Sequence, residues 1–133
     1  MEVFILAKLL SSEVLQKLLK DFKKNIPEVE SIAIVSREGL PIAAILPDKV
    51  DDIKISAMTA ALLSLGERAS LELNRGNMQE IMIAGSGGYI ITLSAGSKAV
   101  VTVSVSEDMK LGLLYHYLKP LIQEITKTLE TGG

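Results

Sequence analysis

The chain has 133 residues, of which 48% are apolar and 23% are charged, and its formal net charge is −2 at pH 7. This length suits one compact domain with a single hydrophobic core, and the composition excludes a globally disordered chain. Acidic and basic residues are interspersed and no basic field is available for a phosphate backbone, so we expect no nucleic-acid partner.

The residue types that carry most enzyme and cofactor chemistry are scarce. The chain contains no cysteine, no tryptophan and one histidine, His116. Disulfides, thiolate metal sites and multi-histidine zinc sites are therefore excluded, and an aromatic-lined cofactor pocket is disfavoured. We expect no catalytic residue, no metal and no cofactor. The lack of cysteine is compatible with a reducing cytoplasm, which is the location we expect.

Residues 1–11 are predicted to form an N-terminal arm or a helix extension. The first ten are mostly apolar but include Glu2 and Lys8, and ten residues are too few to span a bilayer. They also lack the long apolar stretch and the cleavage site of a signal peptide. We expect the arm to pack on protein and do not expect a membrane partner; a weak anchor at a membrane surface is the alternative.

The first part of the domain reads as a helix followed by a β-hairpin. Ser12 resembles a helix cap and precedes apolar residues at spacings of one, three and four, which predicts a helix to about Asn25. Residues 31–36 and 40–46 are short apolar runs typical of strands. Gly39 lies between them and can adopt the positive φ that a hairpin turn needs.

The second part reads as a helix, three strands and a final helix. Asp51 and Asp52 place negative charge at the start of a long helix that runs to about Asn74. Ser106 resembles the cap of the last helix. Glycine-rich turns separate the three predicted strands, which are residues 80–84, 89–94 and 99–105.

This order of elements predicts an α/β (α+β) domain over residues 12–130. A single five-stranded, mainly antiparallel sheet is expected to be flanked by three helices in the order α-β-β-α-β-β-β-α, because only the central helix makes a crossover. Residues 131–133 are expected to form a C-terminal tail.

The central helix has two stripes that both need cover, because Lys54 is its only charged residue between positions 53 and 66. We expect the large apolar stripe of Met58, Leu62, Leu65 and Ala69 to pack on the sheet. The second stripe consists of small residues and one leucine, which would let two helices come close across a twofold axis. The alternative is that the first helix or the N-terminal arm covers it. This stripe is Ser56, Thr59, Ala60, Leu63, Gly66 and Ser70.

Three features that resemble chemical motifs are better explained as ordinary structure. The loop at residues 85–88 is rich in glycine but lacks a following Lys-Ser/Thr and leads into a strand, so it is interpreted as a hairpin turn. Asp51 and Asp52 are adjacent and point apart on a helix, which disfavours a metal site. Arg37 lies in a hairpin, where it can reach a partner or serve as a soluble turn residue.

The segment Ser36-Arg37-Glu38-Gly39-Leu40-Pro41-Ile42-Ala43 resembles the hairpin typical of roadblock (dynein light chain) domains, in which an acidic residue and glycine precede a hydrophobic-Pro-hydrophobic-Ala run. The resemblance extends from Leu15 to Ile125. It includes the small-residue central helix, the glycine-rich hairpin before Tyr89 and the Leu111-Gly112-Leu113-Leu114 start of the final helix. It implies a profilin-like sandwich.

The resemblance also implies a dimer that binds and regulates a small Ras-like GTPase without being an enzyme itself. The partner subunit would be an identical chain or a roadblock paralogue, with the central helices side by side. The third strands would pair across the twofold through Glu80, Ile81, Met82 and Ile83. A GTPase would contact the exposed side of the paired helices, for which the polar candidates are Lys54, Glu67, Arg68 and Arg37.

Two other functions remain open. The protein could be a structural adaptor that does not sense the nucleotide state of a partner. It could also bind a small ligand between the sheet and a helix, which would require an enclosed polar pocket near Tyr89, Tyr115 and His116.

Overall fold

The computed structural model describes residues 2–131, apart from the side chains of residues 4, 7–9 and 131. Met1 of the predicted arm and the last two residues of the predicted tail lie outside the described residues. The predicted fold class and order of elements are confirmed. The elements are α1 (Glu2–Asn25), β1 (Val29–Ser36), β2 (Pro41–Ile45), α2 (Asp52–Glu72), β3 (Glu80–Gly85), β4 (Gly88–Ala95), β5 (Ala99–Ser106) and α3 (Leu111–Thr131).

The five strands form one sheet in the order β2-β1-β5-β4-β3, and all the strand pairs within it are antiparallel. At the centre, Ile34 in β1 is paired with Val101 in β5, which is paired with Leu93 in β4. The last strand in the sequence, β5, therefore lies in the middle of the sheet, while β2 and β3 form its two edges.

Helix α1 begins at Glu2, so the predicted cap at Ser12 is wrong. Ser12 lies inside the helix rather than at its cap. The residues before it include no proline or glycine, and leucine, alanine and lysine are strong helix formers. No helix terminus therefore lies at Ser12 for its side chain to cap. The predicted arm, over its described residues, is a continuation of the first helix.

Helices α1 and α3 cover the aliphatic face of the sheet. Leu15 and Leu19 of α1 and Leu114 and Leu118 of α3 are all almost completely buried there. They pack in one core with alternate residues of the strands, because successive side chains of a strand point to opposite faces. The strand residues of this core include Ile32, Ile34, Ile91, Val101, Val103 and Val105.

Helix α2 covers the opposite face, which is rich in hydroxyl groups. Thr59 of α2 and Thr92 of β4 are both hydrogen bonded to Thr102 of β5, each with an oxygen–oxygen distance of 3.1 Å. Ser31 of β1 and Ser104 of β5 are also hydrogen bonded to each other. The domain is thus a three-layer sandwich whose two sheet faces differ in chemistry.

Local signals explain where α2 begins and where β4 turns. The Asp51 carboxylate accepts a hydrogen bond from the Ile53 amide at 3.0 Å and caps α2, at the helix start where the sequence predicts negative charge. Gly88 has a φ of 143°, and a Cβ there would lie 2.0 Å from the Val105 carbonyl oxygen, so glycine is needed.

The predicted cap at Ser106 is wrong. The Ser106 carbonyl accepts a hydrogen bond from the Met109 amide in a turn, and α3 starts at Leu111.

Candidate functional site

The small-residue stripe of α2 faces its own sheet, which corrects the predicted helix–helix interface. Ser56, Thr59 and Leu63 are buried within the protomer. Thr59 is satisfied by Thr102, and the Ser56 hydroxyl donates to the Asp52 carbonyl at 2.7 Å. These three side chains are therefore unavailable to a second chain.

The other members of the stripe are also engaged within the protomer. The Cβ of Ala60 lies against the turn at Gly39, where an added Cβ would be 3.1 Å from it. Gly66 lies under Ile81, since a Cβ at Gly66 would come within 2.8 Å of the Ile81 Cδ1. The Ser70 hydroxyl donates to the Gly76 carbonyl at 2.6 Å. Small residues let α2 approach its own sheet and loops, rather than another helix.

The apolar stripe predicted to pack on the sheet instead forms what we call the α2 outer face, consisting of Met58, Leu62, Leu65 and Ala69. Met58 is 54% exposed and Leu65 is 66% exposed, while Leu62 is half-buried. Residues at spacings of three and four share one side of a helix, so these side chains form a continuous apolar strip. We predicted the wrong side of α2 to face the sheet because we assigned its larger side chains to the core.

Strand β3 adjoins this face and presents a free edge. Within the described residues β3 pairs only with β4, and its other side carries unpaired backbone groups. Met82 and Ile83 are partly exposed and Glu80 is exposed. The contact of Ile81 with Gly66 brings this edge next to α2. The β3 edge and the α2 outer face therefore form one surface.

A groove of about 320 Å³ lies between α2 and the sheet beside this surface. Met58 and Leu62 line it from the helix, Ile83 and Ile90 line it from the sheet, and the Ser31–Ser104 pair lies at its polar part. Its lining is mostly apolar and side chains of both parts of the surface border it. The groove can accept an apolar side chain from a chain docked there.

The four polar candidates are not equivalent. The Arg37 guanidinium donates to the Glu67 carboxylate at 3.0 Å, to the Ser94 hydroxyl at 3.3 Å and to the Gly96 carbonyl at 3.1 Å. Arg37 and Glu67 thus hold the β1–β2 turn, α2 and the β4–β5 turn together.

The remaining two candidates, Lys54 and Arg68, are exposed on α2. Arg68 forms an exposed ion pair with Glu72, with a nitrogen–oxygen distance of 3.4 Å. Such a pair contributes little to stability. Lys54 and Arg68 are therefore the candidates whose charge is accessible to a partner.

Glu80 at the start of β3 is fixed by α3. Its carboxylate accepts a hydrogen bond from the Tyr115 hydroxyl. Burial, followed by this hydrogen bond and the negative charge of Glu80, raises the pKa of Tyr115 to about 12. This hydrogen bond connects the start of β3 to α3, on the face of the sheet that α2 does not cover.

The residues named for a small-ligand pocket are not brought together. Tyr115 borders a crevice next to Leu118, while Tyr89 borders a separate depression at the β3–β4 turn. His116 contacts Tyr117 edge to face, with the ring centroids 5.5 Å apart. No group of three metal-ligating side chains comes together within residues 2–131. None of the helices in this part of the chain is long and apolar enough to cross a membrane.

Sequence reasoning missed Gln16 of α1. Its carboxamide makes two hydrogen bonds with the backbone of Ala44 in the edge strand β2. A glutamine next to a buried leucine gave no signal in the sequence, because its partner is 28 residues away.

The comparisons with known proteins agree with this architecture. The sequence profile of the Roadblock/LC7 domain matches residues 15–104. An uncharacterized protein of Methanocaldococcus jannaschii is 29% identical over 97 residues, which cover 73% of this chain and 84% of that protein.

Two solved structures share the fold at low sequence identity. The Roadblock/LC7 domain from Streptomyces avermitilis superposes with a TM-score of 0.81 at 19% identity, covering 87% of this chain and 98% of that domain. MglB of Myxococcus xanthus superposes with a TM-score of 0.84 at 16% identity, covering 92% of each chain. Since the family profile spans about two thirds of the sequence and the profilin-like order of elements is complete, the chain belongs to the Roadblock/LC7 domain family.

Proposed function

We propose that this chain forms a homodimer, or pairs with a roadblock paralogue, and that the dimer is a non-enzymatic platform that binds and regulates a small Ras-like GTPase. The observation that carries the proposal is the junction of a free β3 edge with an exposed apolar helix face. Both parts of this surface belong to one side of the molecule, so one partner can cover both.

The β3 edge supports pairing between strands of two subunits. Unpaired backbone donors and acceptors at a sheet edge are a template for another strand. In an isologous pair, β3 of each subunit lies antiparallel to β3 of the other, and the two five-stranded sheets become one. Met82 and Ile83, which the resemblance assigns to this pairing, lie on β3 and are exposed. Pairing would remove their exposed apolar surface from water.

The α2 outer face supports the same geometry. Two copies of α2 on the same side of a joined sheet would bring their two outer faces together. Burial of apolar surface contributes about 25 cal/mol per Å², and water otherwise covers this strip. The dimer contact proposed for α2 therefore uses large apolar side chains, in place of the small residues that the sequence indicated.

The GTPase part of the proposal rests on membership of the Roadblock/LC7 family, since the resemblance to this family implies regulation of a small Ras-like GTPase. In this chain Lys54 and Arg68 are charged and exposed on α2. They are suited to contact the switch regions of a GTPase. A platform that binds one switch conformation more tightly than the other shifts the population of the GTPase toward that state.

Light scattering tests the assembly with a matched pair of variants. Met58→Glu places a charge in the α2 outer face, whereas Leu40→Glu places one at an apolar residue in the β1–β2 turn that is at least as exposed. The wild type and Leu40→Glu are expected to have twice the chain mass of 14.3 kDa. Met58→Glu is expected to have the mass of a single chain. A monomeric wild type would refute the homodimer.

The nucleotide state of the partner tests the regulatory role. A Ras-like GTPase that co-purifies with the tagged protein would be loaded with GDP or with a non-hydrolysable GTP analogue, and binding would be measured by calorimetry. Different affinities for the two states are expected, together with a loss of binding in Lys54→Glu. Equal affinities would favour the structural adaptor.

A further inference from the structure

The first half of α1 stands apart from the folded core. Among the described side chains from Glu2 to Val14 none is buried, and Leu15 is the first residue of the helix that is. At 1.5 Å per residue this part of the helix is about 20 Å long. A free helix of this length is only marginally stable in water, so an uncovered surface here calls for a partner.

The exposed side chains of this segment are strongly apolar. Val3 is 82% exposed, and Leu6, Leu10 and Val14 are each about half exposed. Their spacings of three, four and four residues place them along one side of the helix. Ile5 is also half exposed but lies on a different side, well away from Val3 around the helix axis. The segment therefore exposes apolar side chains on two sides of the helix, which suits insertion into an apolar medium better than pairing along one seam.

Lysines continue the same side of the helix toward its end. Lys17, Lys20 and Lys24 follow Val14 at spacings of three, three and four and are exposed. Glu13 and Asp21 lie on this side as well. Over its whole length α1 has five lysines and three acidic residues, whereas the rest of the chain has nine basic and thirteen acidic residues. The positive charge is thus concentrated on the helix that also has the exposed apolar end.

We propose that α1 docks the protein on an anionic lipid surface, with Val3, Leu6 and Leu10 inserted at the level of the acyl chains and the lysines at the headgroups. Helices with an apolar end or face and nearby lysines bind in this way, and each lysine near an anionic surface adds to the affinity. Helix α1 packs over β1 and β2, on the half of the sheet away from β3. The proposed dimer interface therefore leaves it uncovered.

Vesicle co-sedimentation with the full chain tests this proposal. One set of vesicles contains phosphatidylcholine alone and the other contains phosphatidylcholine mixed with phosphatidylglycerol. The wild type is expected to bind the mixed vesicles more tightly and to lose this preference in high salt. The double variant Leu6→Glu with Leu10→Glu is expected to bind more than about tenfold more weakly, while Leu40→Glu retains binding.

A second pair of variants separates charge from apolar insertion. Charge reversal at Lys17 and Lys20 is expected to lower the affinity for mixed vesicles by about tenfold or more, and charge reversal at the exposed Lys49 is expected to leave it within about twofold. All variants keep the core intact, which their urea midpoints would verify.

Two results would overturn the proposal. The first is a wild type that binds neither kind of vesicle, or a double variant at Leu6 and Leu10 that binds as well as the wild type. The second is a light-scattering mass without vesicles that falls in this double variant and not in Leu40→Glu. That mass change would show that the arm pairs with a second copy of the chain instead.

Discussion

Gln16 in α1 and Ala44 in β2 exchange two hydrogen bonds. The Gln16 Nε2 donates to the Ala44 carbonyl at 2.8 Å, and the Ala44 amide donates to the Gln16 Oε1 at 3.2 Å. A side-chain carboxamide thus takes the place that a neighbouring strand would occupy. Proteins commonly protect edge strands against unwanted pairing, and here the protection falls on β2 rather than on β3. Of the two edges, β3 is therefore the one left open to a further strand.

Gln16→Glu is expected to weaken this protection. The carboxylate can still accept from the Ala44 amide but cannot donate to the Ala44 carbonyl, and it adds negative charge beside that oxygen. We expect a loss of about 1 kcal/mol in the free energy of unfolding and association beyond the proposed dimer as the concentration rises. Urea titration and light scattering would measure both. Unchanged values in both measurements would show that the contact does not protect the edge.

The hydrogen bonds among Thr59, Thr92 and Thr102 predict which loss of a hydroxyl lowers the free energy of unfolding most. Thr102→Val leaves both Thr59 and Thr92 without the partner seen here, while Thr59→Val removes one end of the chain of hydroxyls. We expect about 1–3 kcal/mol of destabilisation for Thr102→Val and about 1 kcal/mol for Thr59→Val. Urea unfolding would rank them. A reversed order would contradict the hydrogen-bonding scheme.

Neighbouring alanines in α2 are expected to respond oppositely to a charge. Ala60 lies against Gly39 and is half-buried, whereas Ala61 is exposed. Ala60→Glu is expected to lower the free energy of unfolding by about 2 kcal/mol or more because the carboxylate is forced against the turn. Ala61→Glu is expected to keep the protomer folded. Circular dichroism during urea unfolding distinguishes the two variants, and equal stability would contradict the assigned faces of α2.

The contact between Tyr115 and Glu80 predicts a dependence of stability on alkaline pH. The pKa of Tyr115 is raised from 10 to about 12 in the folded protein. The stabilisation linked to this group is therefore full below about pH 10 and is lost as the pH rises toward 12. Tyr115→Phe is expected to flatten this slope in urea titrations between these values.

A second variant tests the cause of that shift. Glu80→Gln removes the negative charge but leaves Tyr115 partly buried, so we expect the pKa of Tyr115 to fall part of the way toward 10. Absorbance of the phenolate during alkaline titration would follow it, with Tyr115→Phe as the reference that lacks the group. An unchanged pKa of Tyr115 in Glu80→Gln would show that the negative charge of Glu80 plays no part.

The β3–β4 turn offers a matched pair of glycines. Gly88→Ala would place a Cβ 2.0 Å from the Val105 carbonyl oxygen, while a Cβ at Gly87 meets nothing within 4 Å. We expect Gly88→Ala to cost about 2 kcal/mol or more and Gly87→Ala to be tolerated. Thermal unfolding of the two variants would show the difference, and a stable Gly88→Ala would contradict the backbone geometry of the turn.

The elements were predictable because the local signals in this chain are strong. Asp51 caps α2, and Gly39 with its positive φ closes the first hairpin. The faces of α2 were predicted wrongly because the larger side chains were assigned to the core. The alternation in Thr92-Leu93-Ser94 and in Thr102-Val103-Ser104 contained the missing information, since it places hydroxyls on one face of the sheet and aliphatic groups on the other.

Long-range contacts account for the rest of what the sequence concealed. Arg37 is 30 residues from Glu67 and 57 from Ser94 in the chain, so its role in joining two turns to α2 becomes visible only in three dimensions. The same holds for Gln16. Such contacts depend on tertiary geometry, which periodicity and capping signals do not encode.

Helix α2 is attached to the domain by very little buried apolar surface. Leu63 is its one large aliphatic residue that is buried, beside Ser56 and Thr59. In a lone protomer α2 should therefore open more readily than α1 or α3, and its amides should exchange with solvent sooner. Covering its outer face would supply the missing anchorage. For this helix, becoming ordered and acquiring a partner are then parts of a single equilibrium, whose position depends on protein concentration.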